Sequence, residues 1–360
     1  MLSFFDLDPG MLERLCTSLN MPRHTATQML QWVYRHGVVD ATEMTNISLR
    51  HREAIQSNLT FYRGIETGRA QATDGTLKLL INWDQNRVRP ADTGLPVLQP
   101  RTGERSTETV LIPAAERQTA CLSSQVGCPV GCTFCASGLD GVSGNLDAGQ
   151  IVEQAHRLSW LPEVGRVTNV VFMGMGEPLA NPDAVMHAIR TLHAPWGLGI
   201  SARRITVSTV GLPSAIYRLA EFELPVTLAL SLHAPDDALR RELIPWAEYA
   251  TIAELTDACS AYFSKTGREI TLEYLLLRGV NDQPTQADAL AQVAKRLRAN
   301  VNLIRYNEVP GLPFQRPRTE DVHVFQSRLR GRGINAHIRA SRGRDIAAAC
   351  GQLKRQLASS

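Results

Sequence analysis

The 360-residue chain is 44% hydrophobic and 20% charged, a balance that fits a globular, enzyme-sized protein and argues against a disordered or low-complexity one. No run approaches the roughly 20 apolar residues of a membrane-spanning helix. The net charge of only +3 excludes a uniformly basic or acidic surface.

The opening MLSFFDLDPG has no basic segment and carries Asp6 and Asp8, so it does not read as a secretory signal. The seven cysteines (16, 121, 128, 132, 135, 259, 350) form no regular framework. A reducing, cytoplasmic setting is therefore expected, where a tight cysteine cluster favours metal over disulfides.

Residues 1–60 read as a small helical accessory domain. PGMLERLCTSL and HTATQMLQWVYRHG space apolar residues helically, with Pro9 early and Gly37 late, and a further helix falls near 49–57. Nucleic-acid binding and plain capping are both open to it. TFYRGIE (60–66) and TLKLLINW (76–83) read as antiparallel strands. Residues 82–108, rich in Pro, Gly and Arg, read as a long exposed loop. The stretch 61–107 is thus a strand pair with a loop linker.

From about 108 to 345, β-branched strands alternate with amphipathic helices. Strands are expected at 118–124, 167–174, 203–209, 225–233, 269–276, 300–306 and 334–340. Helices are expected near 147–161, 182–193, 212–221, 251–265, 284–298, 319–332 and 344–357. Repeated βα units predict a parallel sheet covered by helices, as a partly or fully closed α/β barrel. A last segment, 346–360, carries Cys350. Between 295 and 344 stand twelve basic and three acidic side chains, an excess of nine, eleven of the twelve being Arg. Arg suits phosphate recognition, and an Arg-rich solvated surface is the alternative.

In parallel α/β folds the loops after the strands carry the site. CPVGCTFC (128–135) follows the first barrel strand. Three thiolates, Cys128, Cys132 and Cys135, can hold three irons of a four-iron, four-sulfur cluster and leave the fourth open for an exogenous chelate. A zinc site would need a fourth ligand, with Cys121 the nearest candidate. In GMGEPL (174–179) the glycines, Gly176 among them, let backbone approach a ligand, and Glu177 can accept from an amine. Ser208, then Ser231, Leu232 and His233, and Asn307 fall at later strand ends. Cys350, in an Ala-rich stretch, reads on its own as inert packing.

CLSSQVGCPVGCTFCASG, VVFMGMGEPLAN, ITVSTVGLPSAI, LALSLHAPDDALRRELIP, LIRYNEVPG and DIAAACGQL together resemble, in order, the dual-specificity RNA methyltransferases of the RlmN/Cfr type. These are radical S-adenosylmethionine (SAM) enzymes. The resemblance runs from about 108 to 355, and the helical N-terminus is similar to that family's accessory domain. It implies an α/β fold, a radical SAM partial (β/α)6 barrel with a small helical N-terminal domain. It implies a 4Fe-4S cluster on Cys128, Cys132 and Cys135, and two SAM molecules per turnover. Gly176, Glu177, Ser208, Ser231, Leu232, His233 and Asn307 match SAM-binding positions. Cys350 matches the cysteine that takes a methyl group, whose methylene radical then adds to adenine. Glu108 matches the proton acceptor, and Cys121 the cysteine that frees the RNA by forming a disulfide with Cys350.

Pro178 resembles the branch that methylates carbon 2 of adenosine rather than carbon 8. The implied partners are 23S ribosomal RNA, tRNA as a further substrate, and an electron donor such as flavodoxin or ferredoxin, with no membrane. Three features depart from the family pattern. Gly144-Asn145-Leu146 stands where Arg-Asn-Leu is usual, Pro245-Trp246-Ala247 where Pro-Ile-Asn is usual, and the 83–107 loop is longer. A carbon 8 methyltransferase and an RNA-binding or redox-sensing iron–sulfur protein are the competing readings.

Overall fold

The computed structural model describes residues 1–83, 95, 105–162 and 165–354. Strands β1 (Leu2–Ser3) and β2 (Leu59–Thr60) pair in parallel and tie together the two ends of the helical module. Helix α1 (Pro9–Ser18) starts where the Asp8 carboxylate accepts from Met11 N–H at 2.7 Å, with Pro9 at its first position. Helix α2 (His24–His36) ends on Gly37, which is left-handed at φ 72°. Helix α3 (Leu49–Asn58) completes the module. Phe4, Leu12, Met29, Val33, Tyr34 and Ile55 are buried between these elements, a hydrophobic face each helix cannot hide alone.

Strands β3 (Ile65–Gln71), β4 (Leu77–Asn82), β5 (Ser106–Ala114) and β6 (Arg117–Cys121) follow, pairing antiparallel in sequence order. A small hairpin, β7 (Gln125–Gly127) with β8 (Val142–Asn145), brackets the cysteine loop. The chain then alternates. Helix α4 (Ala148–Ser159), strand β9 (Asn169–Phe172), helix α5 (Pro182–His193) and strand β10 (Ile205–Thr209) lead to helix α6 (Pro213–Ala220) and strand β11 (Thr227–Ser231). Helices α7 (Asp237–Leu243) and α8 (Ile252–Thr266), strand β12 (Ile270–Leu276), helix α9 (Pro284–Arg296), strand β13 (Ala299–Arg305), helix α10 (Thr319–Gly331) and strand β14 (Ala336–Arg339) complete it.

The main sheet runs β14-β13-β12-β11-β10-β9-β6-β5-β4-β3. Strands β6 and β9 to β14 are mutually parallel, each beside its predecessor. This one-way winding makes six βα units and a seventh strand, a partial barrel whose sheet edges are β14 and β3. It differs from a doubly wound sheet, where the strand order reverses midway. The helices cover the outside with apolar faces, as at Ile151, Ile189, Ile216, Leu255, Leu290 and Phe325, all essentially inaccessible.

Four local expectations are corrected. The strand expected at 60–66 starts five residues later: Phe61 is buried with Phe4 at 5.1 Å between rings, so the aromatic stretch serves the helical module and ETGRAQ forms the edge strand. The 82–108 loop lies largely outside the described residues, but its last residues, Ser106 to Glu108, are buried in β5. Helix α7, short and behind a buried strand end, was not expected. The helix expected over 344–357 is a single 3-10 turn, Arg344–Ile346, within the described part of that range. Gly343, Ala347 and Gly351 are all left-handed, at φ 66°, 50° and 84°, which no helix accommodates.

The helical module is locked to the barrel through α4. Arg63 lies between Asp6, at 3.3 Å, and Asp147, and Glu153 accepts from the N–H groups of Arg63 and Gly64 at 2.9 and 3.0 Å. At Gly37, a Cβ would sit 2.3 Å from the Trp160 ring. Gly37→Ala is therefore expected to cost about 2–4 kcal/mol, from left-handed strain plus overpacking. Urea denaturation would show it as a lower midpoint, and an unchanged midpoint would refute this account of the contact.

Candidate active site in the barrel mouth

The carboxyl ends of the parallel strands surround a cavity that is open to solvent. Cys128, Cys132 and Cys135 line it together with Gly176, Glu177, Ser208, Ser231, His233 and Cys350. The cysteine loop turns tightly on Gly127 and Gly131, both left-handed. Its backbone is braced by Cys128 N–H to Gly141 O at 3.0 Å and Thr133 N–H to Leu243 O at 3.0 Å. A Cβ on Gly138 would lie 2.9 Å from the Gly131 Cα, so the loop packs on itself.

Burial pushes the Cys128 thiol up to about 12, and the like charge of Cys135 adds to the shift. Cys132 is raised well above the usual thiol range, first by burial and then by Cys135 and Cys128. The three sulfurs thus share one apolar pocket and feel one another, a setting that favours thiolates only when a positively charged centre binds them. Among the described residues no three His, Cys, Asp or Glu side chains form a ready mononuclear metal site. Cys121 packs elsewhere, with Val110, Met175, Ala348 and Leu353, so the fourth ligand of the zinc alternative is not supplied from there. Three thiols facing one open cavity fit a multi-iron cluster with one free iron.

Gly176 has φ 101°, and a Cβ there would meet Gln125 Cβ at 2.7 Å. Glu177 N–H donates to Gln125 Oε1 at 2.8 Å. The Glu177 carboxylate accepts from Leu179 N–H at 3.0 Å and Val210 N–H at 2.9 Å, joining the loops after β9 and β10. Burial lifts this carboxyl to about 7, against the pull of those donors. Ser208 and Ser231 touch through their hydroxyls at 3.2 Å. His233 Nδ1 accepts from Leu275 N–H at 3.0 Å, which leaves the proton on Nε2, and burial holds the ring neutral, near 3. Leu232 does not line the cavity. Its side chain is buried in the core, and its carbonyl accepts from Arg240 Nε at 3.2 Å.

Cys350 is exposed, but to the cavity, since protein surrounds its thiol. Asn307 lies behind it, donating from Nδ2 to Cys350 O at 3.2 Å while its Oδ1 accepts from Arg316 at 3.0 Å. The Cys121 thiol is pushed up to about 12 by burial and by its neighbour Cys350, with Arg339 pulling the other way. Burial likewise raises Cys350, and Arg339 opposes it. Both cysteines are free thiols. Glu108 is fully buried in β5 and away from the cavity lining. It pairs with Lys78 at 3.0 Å and accepts from Lys354 N–H at 3.2 Å.

Several braces had no sequence signal of their own. Arg240, inside the quoted DALRRELIP, is almost wholly buried and donates to the carbonyls of Leu232 and Val210. Gln125, inside CLSSQVGC, joins Glu177 to Asn145. Asn181 donates to Ser124 O and Leu146 O. Each reaches across loops distant in sequence.

Residues 122–290 match the radical SAM superfamily, and residues 2–60 match the ribosomal RNA large subunit methyltransferase N-terminal domain. A probable dual-specificity RNA methyltransferase RlmN of Thermosynechococcus vestitus is 44% identical over 340 residues, 92% of each chain. One of Thermotoga neapolitana is 41% identical over 98% of each. The chain belongs to the RlmN family of radical SAM RNA methyltransferases. Its fold agrees: the crystal structure of a radical SAM methyltransferase from Sphaerobacter thermophilus superposes with a TM-score of 0.91 at 40% identity, covering 99% of this chain and all of that one. Membership in the RlmN family implies SAM and a 4Fe-4S cluster as cofactors and RNA as substrate. No helix among the described residues is long and apolar enough to cross a membrane.

Gly176→Ala tests whether the turn after β9 helps to bind SAM, a cofactor the family implies. Strain at φ 101° and the clash with Gln125 should displace Glu177 and weaken SAM binding about tenfold or more. Equilibrium dialysis with the reconstituted protein reads this, and native affinity in the variant would refute it.

Proposed function

We propose that this chain methylates carbon 2 of adenosine in 23S ribosomal RNA, and in tRNA, in the cytoplasm, through a methylated Cys350. One observation carries the reading: Cys350 lines the same cavity as Cys128, Cys132 and Cys135, with Cys121 as its neighbour. Carbon 2 of adenine lies between two ring nitrogens and is not nucleophilic, so direct transfer from a sulfonium fails, and a thiol that first takes the methyl group offers a route through a carbon radical.

In this reading Cys128, Cys132 and Cys135 hold the cluster, and Gly176, Glu177, Ser208, Ser231, His233 and Asn307 hold SAM, with Leu232 contributing only backbone. When bound, these cofactors supply the methyl group, an electron and the radical that abstracts hydrogen. Two SAM molecules are consumed, one as methyl donor and one as radical source. The Cys350 sulfur takes the methyl group and then presents its carbon to the adenine. The proton displaced from carbon 2 is assigned to Glu108, which lies outside the cavity lining, so a relaying group or water carries it there. The unpaired electron left by the addition would return to the cluster. The Cys121 sulfur then attacks the Cys350 sulfur, the bond from that sulfur to the transferred carbon breaks, that carbon takes a proton from water to complete the methyl group, and the resulting disulfide releases the RNA. A small external reductant of the flavodoxin or ferredoxin class supplies the cluster's electron and a thiol reductant resets the disulfide.

Pro178 supports carbon 2. It opens a 3-10 turn directly after Glu177 and lines the cavity. The basic stretch supports RNA less broadly than its charge suggested. Arg305, Arg316, Arg318, Arg328, Arg330, Arg332 and Arg339 already have protein partners, and Arg298 lies over the Phe263 ring. Phosphate contacts then fall mainly to the remaining basic groups of that stretch and to the helical module, and activity falls as salt rises.

Anaerobic reconstitution should bring in about four irons per chain, and Cys132→Ala should take up none and cleave no SAM. Stoichiometric zinc without iron would refute the cluster. For the relay, Cys121→Ala should still methylate Cys350 and attack RNA, and a covalent protein–RNA adduct should build up on denaturing gels. Nucleosides from protein-free 23S RNA and from bulk tRNA should contain 2-methyladenosine after reaction. 8-Methyladenosine as the main product would overturn the carbon assignment, and normal turnover by Cys121→Ala would overturn the role of Cys121.

A further inference from the structure

The stretch from Gly343 to Lys354 has no helix or strand beyond one 3-10 turn, yet it places Cys350 at the cavity. Its fixings come from outside. The antiparallel strands β3 to β5 and their turn hold it along one side. Asp74 accepts from Gly343 N–H at 3.0 Å, and Asp345 accepts from Thr73 N–H at 2.9 Å. Lys78 Nζ donates to Ala347 O at 3.3 Å, three residues before Cys350. Glu108 Oε2 accepts from Lys354 N–H at 3.2 Å, four residues after it. On the cavity side, Ala136 N–H donates to Gly351 O and the Ser137 hydroxyl to Leu353 O, both at 2.8 Å.

Lys78 and Glu108 are themselves an ion pair at 3.0 Å, with both side chains almost wholly inaccessible. They face each other across β4 and β5, two residues out of direct register, since Lys78 pairs with Val110 and Leu80 with Glu108. One rigid, buried pair therefore touches the segment on both flanks of Cys350. We propose that Lys78 is a positioning residue: with Glu108 it clamps the two flanks of Cys350 and so sets where the thiol stands in the barrel mouth.

The charge on Lys78 is what makes the clamp work. Removing the Lys78 ammonium takes away the donor to Ala347 O on one flank and, on the other, a charged neighbour that helps to hold the Glu108 carboxylate where it accepts from Lys354 N–H, so both flanks loosen. The effect on methyl transfer rests on the methyltransferase reading above.

The test uses the reconstituted, reduced protein and two readouts. Pulsed iodoacetamide labelling, followed by peptide mass spectrometry, gives the alkylation rate of Cys350, with buried Cys16 and Cys259 as internal controls. Freeing both flanks should change the Cys350 rate about tenfold in Lys78→Met while the controls stay put. Lys78→Arg, which restores the cation, should return it to near the native rate. Methyladenosine formation should lose kcat in Lys78→Met with little change in KM for RNA, and Lys78→Arg should recover it. If Lys78→Met does not fold, Lys78→Gln, which keeps the bulk and a donor but loses the charge, takes its place. A folded variant without the cation whose Cys350 alkylates at the native rate overturns the clamp. If the native protein makes no methyladenosine while the cation-free variant still shifts Cys350 alkylation, the clamp stands and the methyltransferase reading falls.

Discussion

Seven parallel strands wound in one direction end on one side of the sheet, and that constraint organises everything else. The loops that leave those ends carry backbone groups the sheet no longer satisfies, and a buried polar group needs a partner. Here the partners are side chains from neighbouring loops. Glu177, after β9, satisfies the N–H of Val210 after β10. Arg240, in α7, satisfies carbonyls after β10 and β11. His233, after β11, accepts from Leu275 in β12. Glu177 and His233 also line the cavity, so two of the groups that face it join one loop to the next, and the mouth keeps its shape without a closed barrel.

The sheet continues past β6 into the antiparallel strands β3 to β5, which reach the mouth only through the segment they hold. They carry the last segment of the described chain and bring Cys350 to the opening. Arg339, at the end of the opposite edge strand, faces both Cys350 and Cys121, and Glu273 holds it at 3.8 Å. The two thiols are thus neighbours, one on β6 and one on the returning segment.

Strands β9 to β14 were legible as β-branched runs because parallel strands covered on both faces select such residues. The cysteine spacing and the GMGEP turn were legible because their chemistry is local. What was hidden depended on distant partners. ETGRAQ looks too polar for a strand, yet it pairs with β4 as the sheet's edge, while the more strand-like TFYRG gives Phe61 to the helical module. The alanines of DIAAACGQL read as helix, but Gly343 and Gly351 bend the backbone left-handed on either side of Cys350. Lys78, in a strand of leucines, carried no signal until its partner 30 residues later stood beside it. The departures at Gly144 and Trp246 also became structural facts: Gly144 pairs with Val126 in the hairpin, and Trp246 is buried.

The returning segment separates two conditions that the site must meet. The sheet and the cysteine loop hold together by contacts of their own, whereas the Cys350 thiol is present only through the contacts that Gly343 to Lys354 make with Thr73, Ala136, Ser137 and Asn307. A change that weakened those contacts alone would leave the cysteine loop in place and take the thiol away from the mouth.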